Sequence, residues 1–267
     1  MLAALGVLSV VFWAWVIVEV TSDDDDDDEA TSEETTIETV EEISVDEGEN
    51  DLLMGTEGDD SLDAEEGVDI VFGDEGDDTL RGGEEGDLLL GGADDDELRG
   101  SEGEDTLVGG EGADTLIGGS GADILDGTSL LDEDTLATSA ETANTLDDLV
   151  FQYDTGLDTD DGDVIQGRGG DDTIIMGSED SVTGGAGEDL FSAGEWVRPG
   201  EPAIIEDYDE DEDIISYSYT GPTEPVISTT IDGTTDDVTV YADGQAVIIV
   251  TAAGPTFTAD NIALLET

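Results

Sequence analysis

From Gly55 onward, apolar and polar positions alternate with a fixed period of nine residues. Cut into nines, residues 55–126 give eight consecutive units, each with an aliphatic side chain at its eighth position: Leu62, Val71, Leu80, Leu89, Leu98, Leu107, Leu116 and Leu125. Gly, Asp, Glu, Ser and Thr dominate the other positions. Nine residues make two and a half helical turns, which would throw successive aliphatics onto opposite faces of a helix. Each glycine would add about 1 kcal/mol of helix penalty. Short strands fit better. Thr106–Val108 and Thr115–Ile117 alternate about a central leucine, and each follows six residues rich in turn formers. Two units then close one coil of strand, turn, return strand and turn. Coils stacked about 4.8 Å apart predict an all-β chain: a parallel β-roll (a right-handed β-solenoid) whose narrow core is the aliphatic row.

Aspartate holds the sixth position of every unit: Asp60, Asp69, Asp78, Asp87, Asp96, Asp105, Asp114 and Asp123. Glycine holds the first position in seven of the eight, Ala64 being the exception. Stacking sets each aspartate beside glycine carbonyls of the next coil, and a carboxylate with several main-chain oxygens is the donor set that Ca²⁺ prefers. The candidate ligands are those aspartates with Gly55, Gly58, Gly73, Gly76, Gly100, Gly103, Gly109, Gly110, Gly112, Gly118, Gly119 and Gly121. Glu85 and Asp94 replace glycine at position four of their units, so coordination in those turns is expected to be distorted while the coil persists. A competing reading makes each aspartate a turn residue bonded to its own main chain. Its fixed position in all eight units favours the ligand role. Without a cation the stacked carboxylates would repel each other and leave acceptors unsatisfied, so calcium binding is expected to be coupled to folding.

Gly109–Ile117 and Gly118–Asp126 match the pattern Gly-Gly-x-Gly-x-Asp-x-U-x in full, U being a large aliphatic. On these repeats the chain resembles the RTX (repeats-in-toxin, haemolysin-type) calcium-binding family. The resemblance implies several bound Ca²⁺ ions, a β-roll and export from the cell. It also implies an uncleaved type I secretion signal in the C-terminal region.

The remaining chain divides by texture. Within residues 1–20 the stretch Leu2–Val18 is apolar, with Phe12, Trp13 and Trp15. They are expected to form a hydrophobic helix serving as membrane anchor or signal segment, with a buried helix as the third reading. Residues 21–50 are acidic and poor in apolar side chains, as in a disordered linker. The first repeat block spans 51–127 and an aperiodic insertion 128–157. A second block, 158–192, pairs Asp163 with Ile165, Asp172 with Ile174 and Asp189 with Phe191 at positions six and eight. Its candidate glycines are Gly167, Gly170, Gly184, Gly185 and Gly187. Between its two good turns, Met176–Thr183 holds only eight residues, so the register is expected to slip there and the turn to make a poor site. Residues 193–267 read as a β-rich cap, with strands around Ala203–Ile205, Asp213–Tyr219, Val238–Tyr241 and Ala246–Val250. Asp232-Gly233 and Asp243-Gly244 read as hairpin turns, and Thr258–Ile262 as the start of a short helix.

Composition narrows the function. The chain carries 75 acidic residues against 4 arginines and no lysine, a formal net charge of −71. Such a surface repels nucleic acid and anionic membranes and attracts hard cations. With no His and no Cys, a serine triad, a thiol nucleophile and the usual zinc sites are excluded. The reading is a non-enzymatic calcium-binding protein, secreted or held at the cell surface, folding in Ca²⁺ after export and serving a structural or adhesive role toward a surface or matrix ligand. Two alternatives stay open: a carboxylate-based enzyme acting on polysaccharide, and a membrane-active toxin, which the single apolar segment and missing lysines disfavour.

Overall fold

Each nine-residue unit crosses from one sheet to the other. The computed structural model describes residues 43–44, 50–131, 157–160 and 162–266. The expectations for 1–20, most of 21–50 and the bulk of the insertion lie outside the described residues. The early strands are β1 (Ile43–Ser44), β2 (Leu52–Met54), β3 (Ser61–Glu66), β4 (Ile70–Glu75), β5 (Thr79–Glu84), β6 (Leu88–Ala93) and β7 (Glu97–Glu102). There follow β8 (Thr106–Glu111), β9 (Thr115–Ser120), β10 (Ile124–Asp126), β11 (Val164–Gly169), β12 (Thr173–Ile175), β13 (Ser181–Ala186) and β14 (Leu190–Gly194). The last are β15 (Ala203–Ile205), β16 (Ile214–Tyr219), β17 (Ile227–Ile231), β18 (Val238–Ala242), β19 (Gln245–Val250) and β20 (Ile262–Glu266).

Odd-numbered strands from β1 to β15 stack side by side in one sheet, and even-numbered strands from β2 to β16 in the other. All of these neighbours pair in parallel, as the expected β-roll requires. The register places the eighth-position aliphatics in two facing files. Leu62, Leu80, Leu98, Leu116, Ile165 and Val182 align along one sheet. Leu53, Val71, Leu89, Leu107, Leu125, Ile174 and Phe191 align along the other. Both files are buried and together make the core.

The stack runs through the insertion without losing register: β9 pairs directly with β11, and β10 with β12. The eight-residue unit does not break the strands either. Ile165 still aligns with Val182, because the missing residue is absorbed in the turn.

The C-terminal strands extend the roll before they cap it. β15 and β19 continue one sheet in parallel, while β16 and β20 continue the other. Among the described strands, antiparallel pairing is confined to β17 with β18 and β18 with β19, closing one end as a hairpin ribbon. Asp243 and Gly244, both at φ > 0, make its tight turn. The expected helix is a single 3₁₀ turn, Ala259–Asn261, capped by Thr258 and followed at once by β20. Among the described residues no helix is long and apolar enough to cross a membrane.

A second apolar cluster lies on the outer face of the even-numbered sheet: Phe72, Leu88, Leu90 and Val108 pack with Leu131, all buried. The nine-residue pattern, which asks for one aliphatic per unit, does not announce it.

Candidate metal sites

Two ladders of aspartates line the two edges of the roll. On one edge the amide of each aspartate donates to Oδ1 of the aspartate one coil on: Asp51 to Asp69 at 2.7 Å, Asp69 to Asp87 at 2.8 Å, Asp87 to Asp105 at 2.9 Å and Asp105 to Asp123 at 2.9 Å. The ladder continues from Asp123 to Asp172 and from Asp172 to Asp189, both at 2.9 Å. The other edge runs Asp60, Asp78, Asp96, Asp114, Asp163 and Asp180, with bonds of 2.7–3.0 Å. These bonds explain why the residue is aspartate: a two-atom arm lets one oxygen reach the coil below and leaves the second for another partner.

That second oxygen is what makes the row a candidate site. Oδ2 of Asp69, Asp78, Asp87, Asp105, Asp114, Asp123, Asp163 and Asp172 is buried, with no hydrogen-bond partner among the described residues. In the regular units it points at the first-position glycine of its own unit. A carbon placed on Gly73 would run into both Asp78 Oδ2 and the carbonyl of Gly91 in the next coil. At Gly167 the same carbon would meet Asp172 Oδ2 and, at 2.6 Å, the carbonyl of Gly184. Glycine at position one thus leaves a gap bounded by one carboxylate oxygen and one main-chain carbonyl from the following coil. A negatively charged oxygen buried without a donor is costly, and a hard cation accepted by oxygen donors is the natural occupant of such a gap. The residues present therefore fit Ca²⁺.

The glycines at positions two and four also permit the close stacking of coils. Gly121 has φ 137°, and a carbon on it would run into the carbonyl of Gly103 one coil below. Non-glycine residues reach the same left-handed backbone at Glu85 and Asp94, with φ of 72° and 77°, a strain of about 1–2 kcal/mol each. The coil persists through those units, and Asp87 and Asp96 stay in their ladders. Ala64, at position one of its unit, is fully buried and packs with the aliphatic core. In the first coil Asp60 turns differently: its Oδ2 accepts from the amide of Thr56 at 2.6 Å.

Burial raises the ladder carboxyls well above the usual aspartate range. Asp78, Asp105, Asp114, Asp123, Asp172 and Asp189 are pushed up to about 6, and Asp87 to about 8. Desolvation is the main cause, opposed by the amide bond from the coil below. The ion pairs Arg81–Asp63, Arg99–Glu97 and Arg198–Glu201 involve no ladder aspartate. Among the described residues no three acidic side chains close on one point as a ligand group. Ions held here would take carboxylates singly or in pairs, with main-chain oxygens completing the shell.

Sequence reasoning missed several members. Asp180 takes its rung in the shortened unit, and the Asp-x-aliphatic spacing to Val182 was the signal for it. Asp213 extends one ladder by accepting from the amide of Asp189 at 3.1 Å. Asp207 receives the amides of Gly184 and Gly185 at 2.9 and 3.0 Å. Asp126, Asp158 and Asp160 are also buried, at the root of the insertion. None of these three sits in a nonapeptide unit's sixth position, so no periodic signal marked them.

The family model for the RTX calcium-binding nonapeptide repeat (four copies) matches residues 47–80, 72–107, 81–116, 99–129 and 176–195. No curated protein matches the chain. Among solved structures, the chain is similar to the AlgE6R3 subunit of the mannuronan C5-epimerase from Azotobacter vinelandii, at 19% identity and a TM-score of 0.31. That match covers 64% of this chain and 78% of the other. It is also similar to the extracellular lipase LipA from Serratia marcescens, at 17% identity and a TM-score of 0.26, over 76% of this chain and 41% of the lipase.

Proposed function

We propose that this chain, whose residues 47–129 and 176–195 match the RTX calcium-binding nonapeptide repeat, is a non-enzymatic calcium-binding protein of the cell exterior. It reaches the outside unfolded, and the roll forms there as Ca²⁺ fills the turns. One observation carries the reading: a file of buried carboxylate oxygens on each edge, without donors, facing gaps that glycine keeps open.

Bound Ca²⁺ would supply the positive charge that joins a carboxylate to a carbonyl of the next coil. The chain's own residues do the rest. Oδ1 of each aspartate ties its coil to the one before it, and the aliphatic files exclude water between the sheets. With many rungs closing together, binding energy becomes folding energy. Low calcium inside a cell would leave the chain unfolded for export, and millimolar calcium outside suits the affinity range of extracellular modules. A structural or adhesive role follows from a strongly acidic stack of coils. Residues 1–20 would tether it at the surface if they are retained.

The test is far-UV circular dichroism of the full chain as Ca²⁺ is raised from zero to about 10 mM, with Mg²⁺ as control. A cooperative coil-to-β transition specific to Ca²⁺ is expected. A β spectrum already complete in chelator and unmoved by Ca²⁺ would defeat the proposal, leaving the aspartates as turn residues alone.

A further inference from the structure

Strand β17 ends the eleven-stranded sheet: it pairs with β18, and among the described residues no strand lies beyond it. Two flanking bonds fix which of its main-chain groups face outward. The amide of Asp243 donates to the carbonyl of Val226 at 3.0 Å, and the amide of Asp232 donates to the carbonyl of Asp237 at 2.8 Å. Bonded residues alternate along an antiparallel pair, so Ser228 and Thr230 also turn toward β18. The N–H and C=O groups of Ile227, Thr229 and Ile231 are left facing the open edge.

This edge lacks the devices that keep sheet edges from pairing. Residues 225–231 carry no charge in a chain with 75 acids, and β17 itself contains no proline, glycine or lysine. All of its residues but Ser228 are β-branched isoleucine or threonine, which favours an extended, paired backbone. Ile227 packs on the core, which steadies one end of the strand. Val226 and Ile231 stand out in solvent, 69% and 44% exposed. The last strand of the other sheet, β20, differs in carrying Glu266 on its edge.

We infer that β17 is a self-association edge, pairing antiparallel with β17 of a second copy about a two-fold axis at Thr229. In that register the strand is its own complement. Ile227 stands opposite Ile231, Ser228 opposite Thr230, and Thr229 opposite Thr229 of the second copy, each a favourable cross-strand pair. The outward main-chain groups meet each other in the same register. A two-fold at Ile227 would ask for a donor from Pro225, which has none. A two-fold at Ile231 would carry the pairing into the turn between Asp232 and Asp237. Charge favours the same arrangement. Two bodies of formal charge −71 repel one another, yet here Val226 meets Asp232 and Glu224 meets Thr234, so no acid stands opposite another. Such a self-complementary contact closes as a dimer and joins the two eleven-stranded sheets edge to edge. It lies in the cap and uses no aspartate of the ladders.

Sedimentation velocity of the full chain, in saturating Ca²⁺ and about 0.15 M salt to screen the acids, tests the inference. Wild type is expected to form dimers as its concentration rises to about 100 μM. T229P should stay monomeric with the wild-type far-UV spectrum, because the proline removes an outward N–H and no bond to β18. Should T229P disturb the hairpin, T229E and T229K carry the test. Each sets like charges opposite one another at the axis, so T229E alone should dimerise less than wild type and an equimolar mixture of the two should recover the dimer. Wild type that stays monomeric throughout would overturn the inference. So would T229E that dimerises as well as wild type, or a mixture that associates no better than T229E alone.

Discussion

The amide of Asp123 donates to the carboxylate of Asp172 at 2.9 Å across forty-nine residues of chain. The same bond joins Asp105 to Asp123 at 2.9 Å across eighteen. The ladder thus treats the two blocks as one roll. Asp172 therefore does two jobs, one per oxygen. D172N keeps an acceptor for the Asp123 amide but loses the charge beside the Gly167 gap. D172A loses both, leaving a buried amide unsatisfied at about 1–3 kcal/mol. Calcium titrations followed by far-UV circular dichroism should show a higher midpoint for D172N and a higher one still for D172A. Equal midpoints for the two variants would mean that the ladder bond contributes nothing.

Acid should substitute in part for calcium. Folded Asp78 holds its proton up to about pH 6 and Asp87 up to about 8, against an ordinary value of 3.8. Between those values the folded chain binds more protons than the unfolded one. The stability these groups contribute is full below 3.8 and is lost as pH rises through 6 and 8. Calcium reverses the sign, because ion and proton compete for one oxygen. In chelator the β signal should decline from about pH 4 to about pH 8, whereas the calcium midpoint should fall over the same range. A metal-free β signal that grows with pH would contradict the burial of these carboxyls.

The periodic part of this architecture was legible because one residue choice per position has one physical cause. Aliphatics at position eight make the core, and aspartate at position six makes the ladder. Asp180 was obscured by counting nine residues where the structure keeps the Asp-x-aliphatic spacing and shortens the turn. Asp160 and Asp158 could not be read from the sequence, since their surroundings depend on Ser129, Ser178 and the segment carrying Trp196 and Arg198, all brought together by stacking. The parallel continuation through β15, β16, β19 and β20 was hidden for a related reason. Once the glycine turns end, a strand such as Ala203–Ile205 carries no sign of whether its partner is parallel. Strand β17, Ile227–Ile231, is largely exposed and offered no alternation to find.

Position one tests the gap directly. In G73A the new methyl would run into Asp78 Oδ2 and the Gly91 carbonyl, so it should cost one ion and raise the calcium midpoint of the whole roll. Ala64 is the natural counterpart, carrying a methyl at the same position of its unit. A64G should add one ion and lower the midpoint, as read by native mass spectrometry and titration. If A64G binds no more calcium than wild type, glycine at position one is not what opens a site.

Leu107 sits between Leu89 and Leu125 in its file, and all three side chains are wholly buried. The core is one side chain deep from each sheet, so a cavity there has few neighbours able to collapse into it. L107A should cost about 2–5 kcal/mol. Leu53 lies near the first coil and is slightly exposed, at 3%, with neighbours in its file on one side only. Coils in a solenoid contact only adjacent coils, so a defect in the middle uncouples two halves while one at the end frays a terminus. Urea melts in saturating Ca²⁺ should therefore show a larger midpoint loss for L107A than for L53A, and a broader transition for L107A alone. Equal losses with unchanged steepness would mean that the roll unfolds as a single unit whose coils are all coupled.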